Sequence, residues 1–432
     1  MKKLLGLAVA GALVIAAAPA RAEILKNLKT SGELEVMGTL DQNVATLNAT
    51  GTDSRRNTQT RLTYGLSFDL LEDARANIAF VKNDRYYGTG AQTANGVLTT
   101  VNIQEANVVL DKLFGKVDAK IGRQFYGDEG DINIFYGVKH GQEGMSVNAL
   151  DAARFDYSSG KNSLTVLWSK VTDANSPNFN TQDNDTAVFG VSDMYKLDQA
   201  LTLGAYAYNR RIGKTAANQD SDSLWIIGAK AKGEIAGLGY YGEAVANRGS
   251  TPNGTVTADY TGYAFLAKAN YNLKLAGVGG LNPRAMFAYG SGDRDGLATN
   301  NEKIKNFVAV NPDFRPGLIF SNSLPTGSII NTAAGSLANM NVINVGVDFM
   351  PEIASKFSVA LDGYSFARNA TAQADSDLAT EIDLGLKYKQ SENITLGLAV
   401  GRLWTGNYLK DANPGTAFSP ATMAMTTLSV KF

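Results

Sequence analysis

Stretches of about ten residues in which apolar and polar side chains alternate recur along this chain of 432 residues. In residues 61–70 the apolar positions are Leu62, Tyr64, Leu66, Phe68 and Leu70. Residues 200–210 and 380–389 repeat the pattern. Because successive side chains of a strand point to opposite faces, each stretch predicts a strand with one apolar and one polar face. No segment after residue 22 approaches 18 consecutive apolar residues, so no helical membrane span is predicted there.

The pattern predicts eighteen strands, most of them long enough for the roughly 9 to 11 tilted residues that cross a bilayer. They are expected near residues 32–43, 58–70, 75–84, 99–111, 116–124, 143–157, 162–172, 185–197, 200–210, 221–233, 238–248, 258–272, 281–292, 340–350, 356–367, 378–390, 394–405 and 421–432.

Connections between these strands alternate in length. Short links, such as residues 198–199 and 391–393, alternate with long polar ones, such as 125–142 and 293–339. Short periplasmic turns alternating with long extracellular loops are typical of outer-membrane barrels. We therefore predict an all-β transmembrane antiparallel β-barrel of about 18 strands (16–18), integral to the outer membrane of a Gram-negative bacterium. A soluble secreted all-β protein is the alternative.

Aromatic residues mark the strand ends at the predicted short turns. Seven of nine such ends carry one on the apolar parity: Phe68, Tyr157, Tyr195, Tyr271, Phe349, Tyr388 and Phe432. Rings of this kind favour the headgroup region of a membrane, because one edge is apolar and the other is wet. The alternating last strand, which ends in Phe432, predicts the barrel assembly machinery as a partner, beside the lipid bilayer itself.

The first 22 residues predict a cleaved signal peptide. Two lysines precede an uncharged, mostly apolar run, and Ala20-Arg21-Ala22 fits a small-x-small cleavage site. The predicted organisation is therefore signal peptide 1–22 and one barrel domain, 23–432. A membrane anchor is the alternative for the apolar run.

Composition excludes several classes of function. The net charge of −1 argues against nucleic acid as a partner. With no Cys, the single His140 and no Gly-x-Ser-x-Gly motif, the chain is not expected to be an enzyme or to hold a cofactor. Acidic clusters at 183–185 and 293–295 lack the spacing of a calcium loop, so turns rather than a metal site are predicted.

If the apolar parity faces lipid, the other parity faces the lumen. The inward set contains eleven basic and ten acidic residues. They either create an electric field across the pore or form ion pairs that keep the lumen hydrated. The candidates for lining the pore and setting selectivity are Arg61, Arg75, Glu105, Asp118, Lys120, Arg123, Arg154, Asp156, Lys230, Arg284, Asp348, Asp362, Glu381, Asp383 and Lys387. Eighteen strands enclose an aqueous channel unless loops narrow it. Loop 293–339, with its prolines and aromatics, is either a constriction or lid or a floppy external loop.

Three short motifs resemble the alginate-export family of outer-membrane porins: Ile121-Gly122-Arg123-Gln124, Asp151-Ala152-Ala153-Arg154, and Thr380 to Leu384 with Trp404 to Tyr408. The resemblance implies an 18-stranded monomeric barrel in which Arg123 and Arg154 contact an anionic solute. Arg123, however, shares the outward parity of Ile121, so it is expected at the external rim or at a bulge. The balanced inward charge also differs from the strongly cationic conduit that a polyuronate requires.

The sequence thus predicts a porin for passive diffusion of small hydrophilic solutes. A dedicated conduit for an anionic oligosaccharide, polyuronate or organic acid is the first alternative. A structural or adhesive barrel with a plugged lumen is the second.

Overall fold

The computed structural model describes residues 26–49, 53–86, 101–142, 144–172, 185–213, 221–253, 255–294, 302–322 and 336–432. The predicted signal peptide lies outside the described residues, as do residues 183–184 and 295 of the two acidic clusters.

Eighteen antiparallel strands close into a barrel, as predicted in number and order. Each pairs with its neighbours along the chain, and the first pairs with the last, where Glu33 lies opposite Lys431. Numbered in chain order, the wall strands are β1 (Lys26–Gln42), β2 (Ser54–Leu71), β3 (Ala74–Tyr86), β4 (Asn102–Leu113), β5 (Val117–Gln124), β6 (Leu150–Ser159), β7 (Asn162–Thr172), β8 (Thr186–Lys196), β9 (Thr202–Ile212), β10 (Asp222–Ile235), β11 (Leu238–Asn253), β12 (Tyr263–Tyr271), β13 (Gly279–Gly290), β14 (Met340–Pro351), β15 (Phe357–Ala367), β16 (Asp377–Lys389), β17 (Ile394–Thr405) and β18 (Ala421–Lys431).

The wall has an apolar outer face and a mixed inner one. On β16, Ile382 is 52 % exposed between Glu381 and Asp383, which are 1 % and 9 % exposed. The same alternation runs through β14, where Val345 is 65 % exposed. Residues that lie opposite one another on paired strands point to the same side of the sheet. Once one residue is known to face the lumen, its partners on the neighbouring strands are therefore known to face the lumen too; we call such a set an inward row, and the corresponding lipid-facing set an outward row.

Tight turns join strands at one end of the barrel. Ala236 and Gly237 connect β10 to β11 with φ of 51° and 82°. Two consecutive residues with positive φ match the twist of the flanking strands. This geometry accounts for a two-residue link and for glycine at its second position.

The aromatic residues predicted at the short-turn ends lie in the outward rows. Tyr195, Tyr271 and Phe432 are among the exposed ones. Phe432 exchanges two backbone hydrogen bonds with Gly32 on β1, of 2.8 and 3.0 Å, and its ring lies 6.4 Å from that of Tyr64. The last residue of the chain therefore belongs to the seam that closes the barrel.

Several strand boundaries differ from the prediction; β1 begins at Lys26 and β11 ends at Asn253, and two other predicted strands are shortened or divided. The predicted strand 143–157 begins only at Leu150, because Met145 is fully buried and its carbonyl accepts a hydrogen bond from Asn83 Nδ2 (3.1 Å). The predicted strand 258–272 divides into Val256–Tyr260, which pairs with Lys303–Ile304, and β12. Outside the wall lie Tyr126–Gly127 paired with Phe135–Tyr136, Leu273–Leu275, a 3₁₀ turn (Glu352–Ala354) and two short helices, α1 (Leu318–Asn322) and α2 (Asn407–Ala412).

Within the described residues, the helices are all too short or too polar to cross a membrane.

A charge placed on the outer face tests the orientation of the wall. Val345→Arg puts a cation on the exposed face of β14, and we expect it to lower the free energy of unfolding in a lipid bilayer by about 2–4 kcal/mol. The control, Thr427→Arg, lies on an inward row beside a cavity of about 530 Å³ and should cost less than about 1 kcal/mol. Urea titration in liposomes measures both. Equal losses would contradict the assigned orientation.

Candidate functional site

Two connecting segments fold into the barrel and pair with each other. The first inner segment is residues 125–142, and the second is residues 302–322, the described part of the predicted long loop. Phe135 N donates to Asn311 O (2.8 Å), and Asp313 N donates to Asp131 O (2.8 Å). Residues 125–142 were predicted to form an external loop, and the structure contradicts that placement.

Inward side chains on separate strands hold the first inner segment. Asn133 Nδ2 donates to Tyr206 Oη (2.6 Å) on β9 and to Glu243 Oε1 (3.0 Å) on β11. On β2, Arg61 donates to Lys139 O (2.8 Å) and forms an ion pair with Glu35. Arg61 is 1 % exposed, so it supports the segment instead of facing open solvent.

His140 lies between two glutamates that belong to different elements. Its Nε2 is 3.2 Å from Glu33 Oε2 on β1, and its Nδ1 is 3.1 Å from Glu129 Oε2 within the first segment. Hydrogen bonds with Glu129 and Glu33 raise the pKa of His140 to about 9. Burial alone raises the pKa of Glu129, but its bonds with His140 lower it to about 2. His140 is thus a charged clamp between the first inner segment and the wall.

The second inner segment joins this clamp through Arg315. Its Nη2 donates to Glu129 Oε1 (2.8 Å), and its Nη1 donates to the carbonyl of His140 (2.9 Å). Asp313, which has a fully buried side chain, lies 2.9 Å from Arg315 Nε and 3.4 Å from Lys139 Nζ. The two segments are therefore connected by charge as well as by backbone hydrogen bonds.

Two inward carboxylates on β16 hold the start of α1. Asp383 Oδ2 accepts a hydrogen bond from Leu318 N (2.8 Å), and Glu381 accepts from Ile319 N (2.5 Å) and Phe320 N (3.0 Å). These are first-turn N–H groups, which have no partner within a helix. A Cβ at Gly317, where φ is +78°, would lie 2.7 Å from a Glu381 oxygen, so glycine allows this close approach.

Aromatic packing completes the contact of the second segment with the wall. The ring of Phe320 stacks on that of Phe366 at 3.8 Å with an interplanar angle of 6°. Ile319 and Phe307 are almost fully buried beside it. Glu381 and Asp383, predicted to line the pore, are thus covered by a segment that they anchor.

Open space remains along the inner face of β6–β13. A cavity of about 390 Å³ is lined by the cations Arg154, Lys230, Lys232 and Lys268, and by three carboxylates of the first inner segment, Asp128, Glu129 and Asp131. A second cavity of about 480 Å³ is lined by Lys268 and Arg284. A third of about 860 Å³, at the short-turn end, is lined by Lys196, Lys232 and Lys268, with Asp198 and Glu234 at the turns. Lys268 borders all three, so the cavities adjoin one another along this face, which we call the open path. We call its six cations the basic track: Arg154, Lys196, Lys230, Lys232, Lys268 and Arg284.

The basic track is only partly neutralised. Arg284 bridges Asp348 and Asp362, Arg154 pairs with Asp156 (2.8 Å), and Lys230 lies 3.9 Å from Asp131. In contrast, within the described part of the chain, Lys196, Lys232 and Lys268 have no carboxylate oxygen within 4.0 Å. Lys268 Nζ lies 5.7 Å from the centroid of the Tyr241 ring, a cation–π contact.

Asp131 lies beside the track in the first segment and is nearly buried. Burial and the neighbouring Glu243 carboxylate raise the pKa of Asp131 to about 6, although Lys230 and two backbone N–H groups oppose that shift. Part of the negative charge next to the track is therefore lost below neutral pH.

The cross-strand register places fourteen of the fifteen candidate residues on inward rows. Several are paired with each other; Lys120 Nζ, for example, donates to Glu105 Oε1 (2.9 Å). The inward candidates are Arg61, Arg75, Glu105, Asp118, Lys120, Arg154, Asp156, Lys230, Arg284, Asp348, Asp362, Glu381, Asp383 and Lys387.

Arg123 is the exception. It lies opposite Ala106 and Asp151 in an outward row, and its Nε donates to Ile103 O (3.0 Å). No bulge turns it inward, so it does not line the lumen, in contrast to its place among the candidates.

Several residues of the site were not predicted from the sequence. Asp131, Asn133 and Glu129 follow no periodic pattern, and their partners on the wall or in the second inner segment lie 73 or more residues away in the chain. Tyr206 and Tyr208 could have been noticed in the sequence, because they occupy the inward, polar positions of β9. An aromatic ring at such a position is unexpected in a lumen lined only by hydrophilic side chains and indicates a packing partner inside the barrel. Tyr208 Oη lies 2.9 Å from Tyr126 Oη on the first inner segment.

Glu33, Glu35 and His140 are the group among the described residues whose donor atoms lie close enough, within 4.8 Å, to hold a metal ion. Glu35 is already paired with Arg61, and His140 contacts two carboxylates. The cluster therefore carries its own balancing charge, and we assign no metal to it.

No protein-family model and no curated protein matches the sequence. Solved structures do match in fold. OccK11 (OpdR) of Pseudomonas aeruginosa has a TM-score of 0.59 at 11 % identity, covering 95 % of this chain and 97 % of that one. OccK10 (OpdN) gives 0.57 at 10 %, covering 93 % and 99 %, and OpdK, solved with vanillate, gives 0.55 at 10 %, covering 94 % and 99 %. These are outer-membrane porins, and at this identity the likeness is one of fold.

Deprotonation of His140 tests the clamp. Because its pKa is raised above the usual 6.5, the stabilisation is complete below about pH 6.5 and is lost as pH rises through about 9. We expect hydrogen-exchange protection factors for residues 129–140 to fall between pH 7 and pH 10. In His140→Gln they should already be low and vary less with pH. Unchanged protection across that range in the wild type would contradict the clamp.

Proposed function

We propose that the protein is an outer-membrane porin that carries small hydrophilic solutes by passive diffusion and favours those with a negative charge. The observation that supports this is that the acidic and basic side chains of the lumen differ in how many are paired. Inward carboxylates such as Glu381 and Asp383 anchor the inner segments, whereas Lys232 and Lys268, beside the open path, have no carboxylate partner among the described residues.

Electrostatics favours anions on this path. Carboxylates also line the path, but Glu129 is paired with His140 and Arg315, and Asp131 lies 3.9 Å from Lys230. The unpaired cations therefore give the cleft an excess of positive charge, and such an excess between low-dielectric walls concentrates anionic solutes. A carboxylate can pass from one cation of the track to the next, so no single site has to bind it tightly. Conduction requires such weak, successive binding, because a tightly held solute would not leave the pore. The balanced tally of charges in the sequence thus becomes a local excess of positive charge.

We further propose the partners that this role implies. The exposed apolar face of the wall fits the lipid bilayer, and Phe432, held at the seam of β1 and β18, is available to the assembly machinery as the end of the last strand. Residues 23–432 then act as one barrel domain, with the inner segments as its constriction. The proposal includes no enzymatic step, no cofactor and no nucleic acid.

Organic acids are the solute class we favour within this proposal. OpdK was solved with vanillate, a small carboxylate, and shares the fold. A polyuronate conduit, implied by resemblance to the alginate-export family, is a second proposal supported by Arg154, which lies in the basic track. The outward Arg123 and the paired inner segments weigh against it, since a polymer needs a continuous wide path.

The charge preference can be measured in a planar bilayer. We expect Lys232→Gln with Lys268→Gln to move the reversal potential in a KCl gradient toward that of a cation-selective pore, because two unpaired cations leave the path. The control is Lys120→Gln with Glu105→Gln, which removes a paired cation together with its carboxylate and leaves the net charge of the lumen unchanged. A well-folded wild-type protein with no conductance would favour a plugged, adhesive barrel, and an unmoved reversal potential would reject the basic track.

The constriction can be tested by releasing α1. Glu381→Ala with Asp383→Ala removes the acceptors of three N–H groups, and we expect a larger and noisier single-channel conductance. Asp69→Ala serves as the control, because it removes an inward carboxylate whose side chain bonds to Asn27 near the short turns. Equal conductance in both variants would show that the second segment does not narrow the pore.

A further inference from the structure

The outer face of β7–β11 carries aromatic residues in one row. Trp168 lies opposite Phe189, Phe189 opposite Asn209, Asn209 opposite Trp225, and Trp225 opposite Arg248. The three rings are exposed by 59 %, 41 % and 36 %. They lie toward the long-loop ends of their strands, where an aromatic girdle marks the upper boundary of the apolar band.

A row of cations lies two residues beyond these rings, toward the long loops. Lys170 lies opposite Ala187, and Ala187 lies opposite Arg211. The row continues on β5 and β6, where Arg123 and Asp151 face Lys170. Two residues of strand correspond to about 6–7 Å, so these cations stand just above the rings.

Two members of this surface are not neutralised within the described residues. Arg123 lies 3.4 Å from Asp151, and Lys170 lies 2.7 Å from Asp185. Arg211 and Arg248, in contrast, have no carboxylate oxygen within 4.0 Å, and Arg248 Nη1 donates to the carbonyl of its neighbour Asn247 (2.7 Å). Both side chains are exposed on the outer face.

Outward cations are unevenly spread around the barrel: outside this surface, Arg56 on β2, Lys82 on β3 and Arg402 on β17 also lie on outward rows. The outward positions of β12–β16, read from the same register, hold no Lys or Arg. What distinguishes the surface on β7–β11 from the single Arg402–Trp404 contact on β17 is that three exposed rings and two arginines, Arg211 and Arg248, lie together on neighbouring strands.

We infer that the outer face of β7–β11 binds a phosphate-bearing lipid of the external leaflet, a phosphorylated glycolipid. The inference depends on the proposed outer-membrane location. The exposed rings set the depth of the acyl chains, and Arg211 lies two residues above their row, at the depth of the headgroup phosphates. Arg248 lies in the row of the rings, opposite Trp225, and its long side chain reaches that depth by extending toward the headgroups. Guanidinium groups suit this ligand, because they bind phosphate with two parallel hydrogen bonds.

Native mass spectrometry of the full barrel in detergent, titrated with diphosphorylated lipid A, tests the site. We expect one lipid A to be retained, with about tenfold weaker binding for dephosphorylated lipid A and for Arg211→Gln with Arg248→Gln, since each loses charge-assisted hydrogen bonds. Arg402→Gln is the control, because Arg402 is an outward arginine on β17 that lies 5.5 Å from the Trp404 ring and outside this surface.

Three results would overturn the inference. They are equal binding of the two lipid forms, unchanged binding by the double variant, and an equal loss in the Arg402 control. A loss of self-association in the double variant, without lipid binding by the wild type, would instead assign the surface to a second copy of the chain. Conductance of the double variant separates this site from the channel, because both arginines face outward and ion flow should persist even if lipid binding fails.

Discussion

Closure of the sheet is the constraint on which the rest of this structure depends. In a bilayer every backbone N–H and C=O must find a partner within the protein, and the pairing of β1 with β18 leaves no open edge. Closure also divides side chains into two environments, because alternate residues must face lipid or lumen. The apolar outer rows and the charged inner rows follow directly from that division, and Phe432 completes it at the seam.

A closed wall of eighteen strands leaves a lumen that its own side chains cannot fill. Here the inner segments enter it, and their buried polar groups need partners of their own. Asn133, the first turn of α1 and Lys139 obtain them from Glu243, Glu381 and Arg61 on the wall. On some strands the inward carboxylates are thereby bonded to the inner segments. The cations of the basic track on β6–β13 are left beside the open space.

The strands and their facing could be predicted because alternation is a local property of the sequence. Arg123 shows the strength of that rule, since its parity placed it outward against the family resemblance. The roles of Glu381 and Asp383 could not be predicted, because parity tells which way a side chain points and not what covers it. Their partners lie more than 60 residues away in a segment without periodicity. The same holds for Met145, which alternation assigned to a strand.

Cysteine accessibility tests most directly whether the open path follows the basic track. The chain has no cysteine, so single substitutions can be labelled cleanly. A charged thiol reagent added during recording should change the current through Lys268→Cys, which borders all three cavities of the path. It should leave the current unchanged in Leu403→Cys, a fully buried inward position on β17. The reverse pattern, or equal changes at both, would contradict the account.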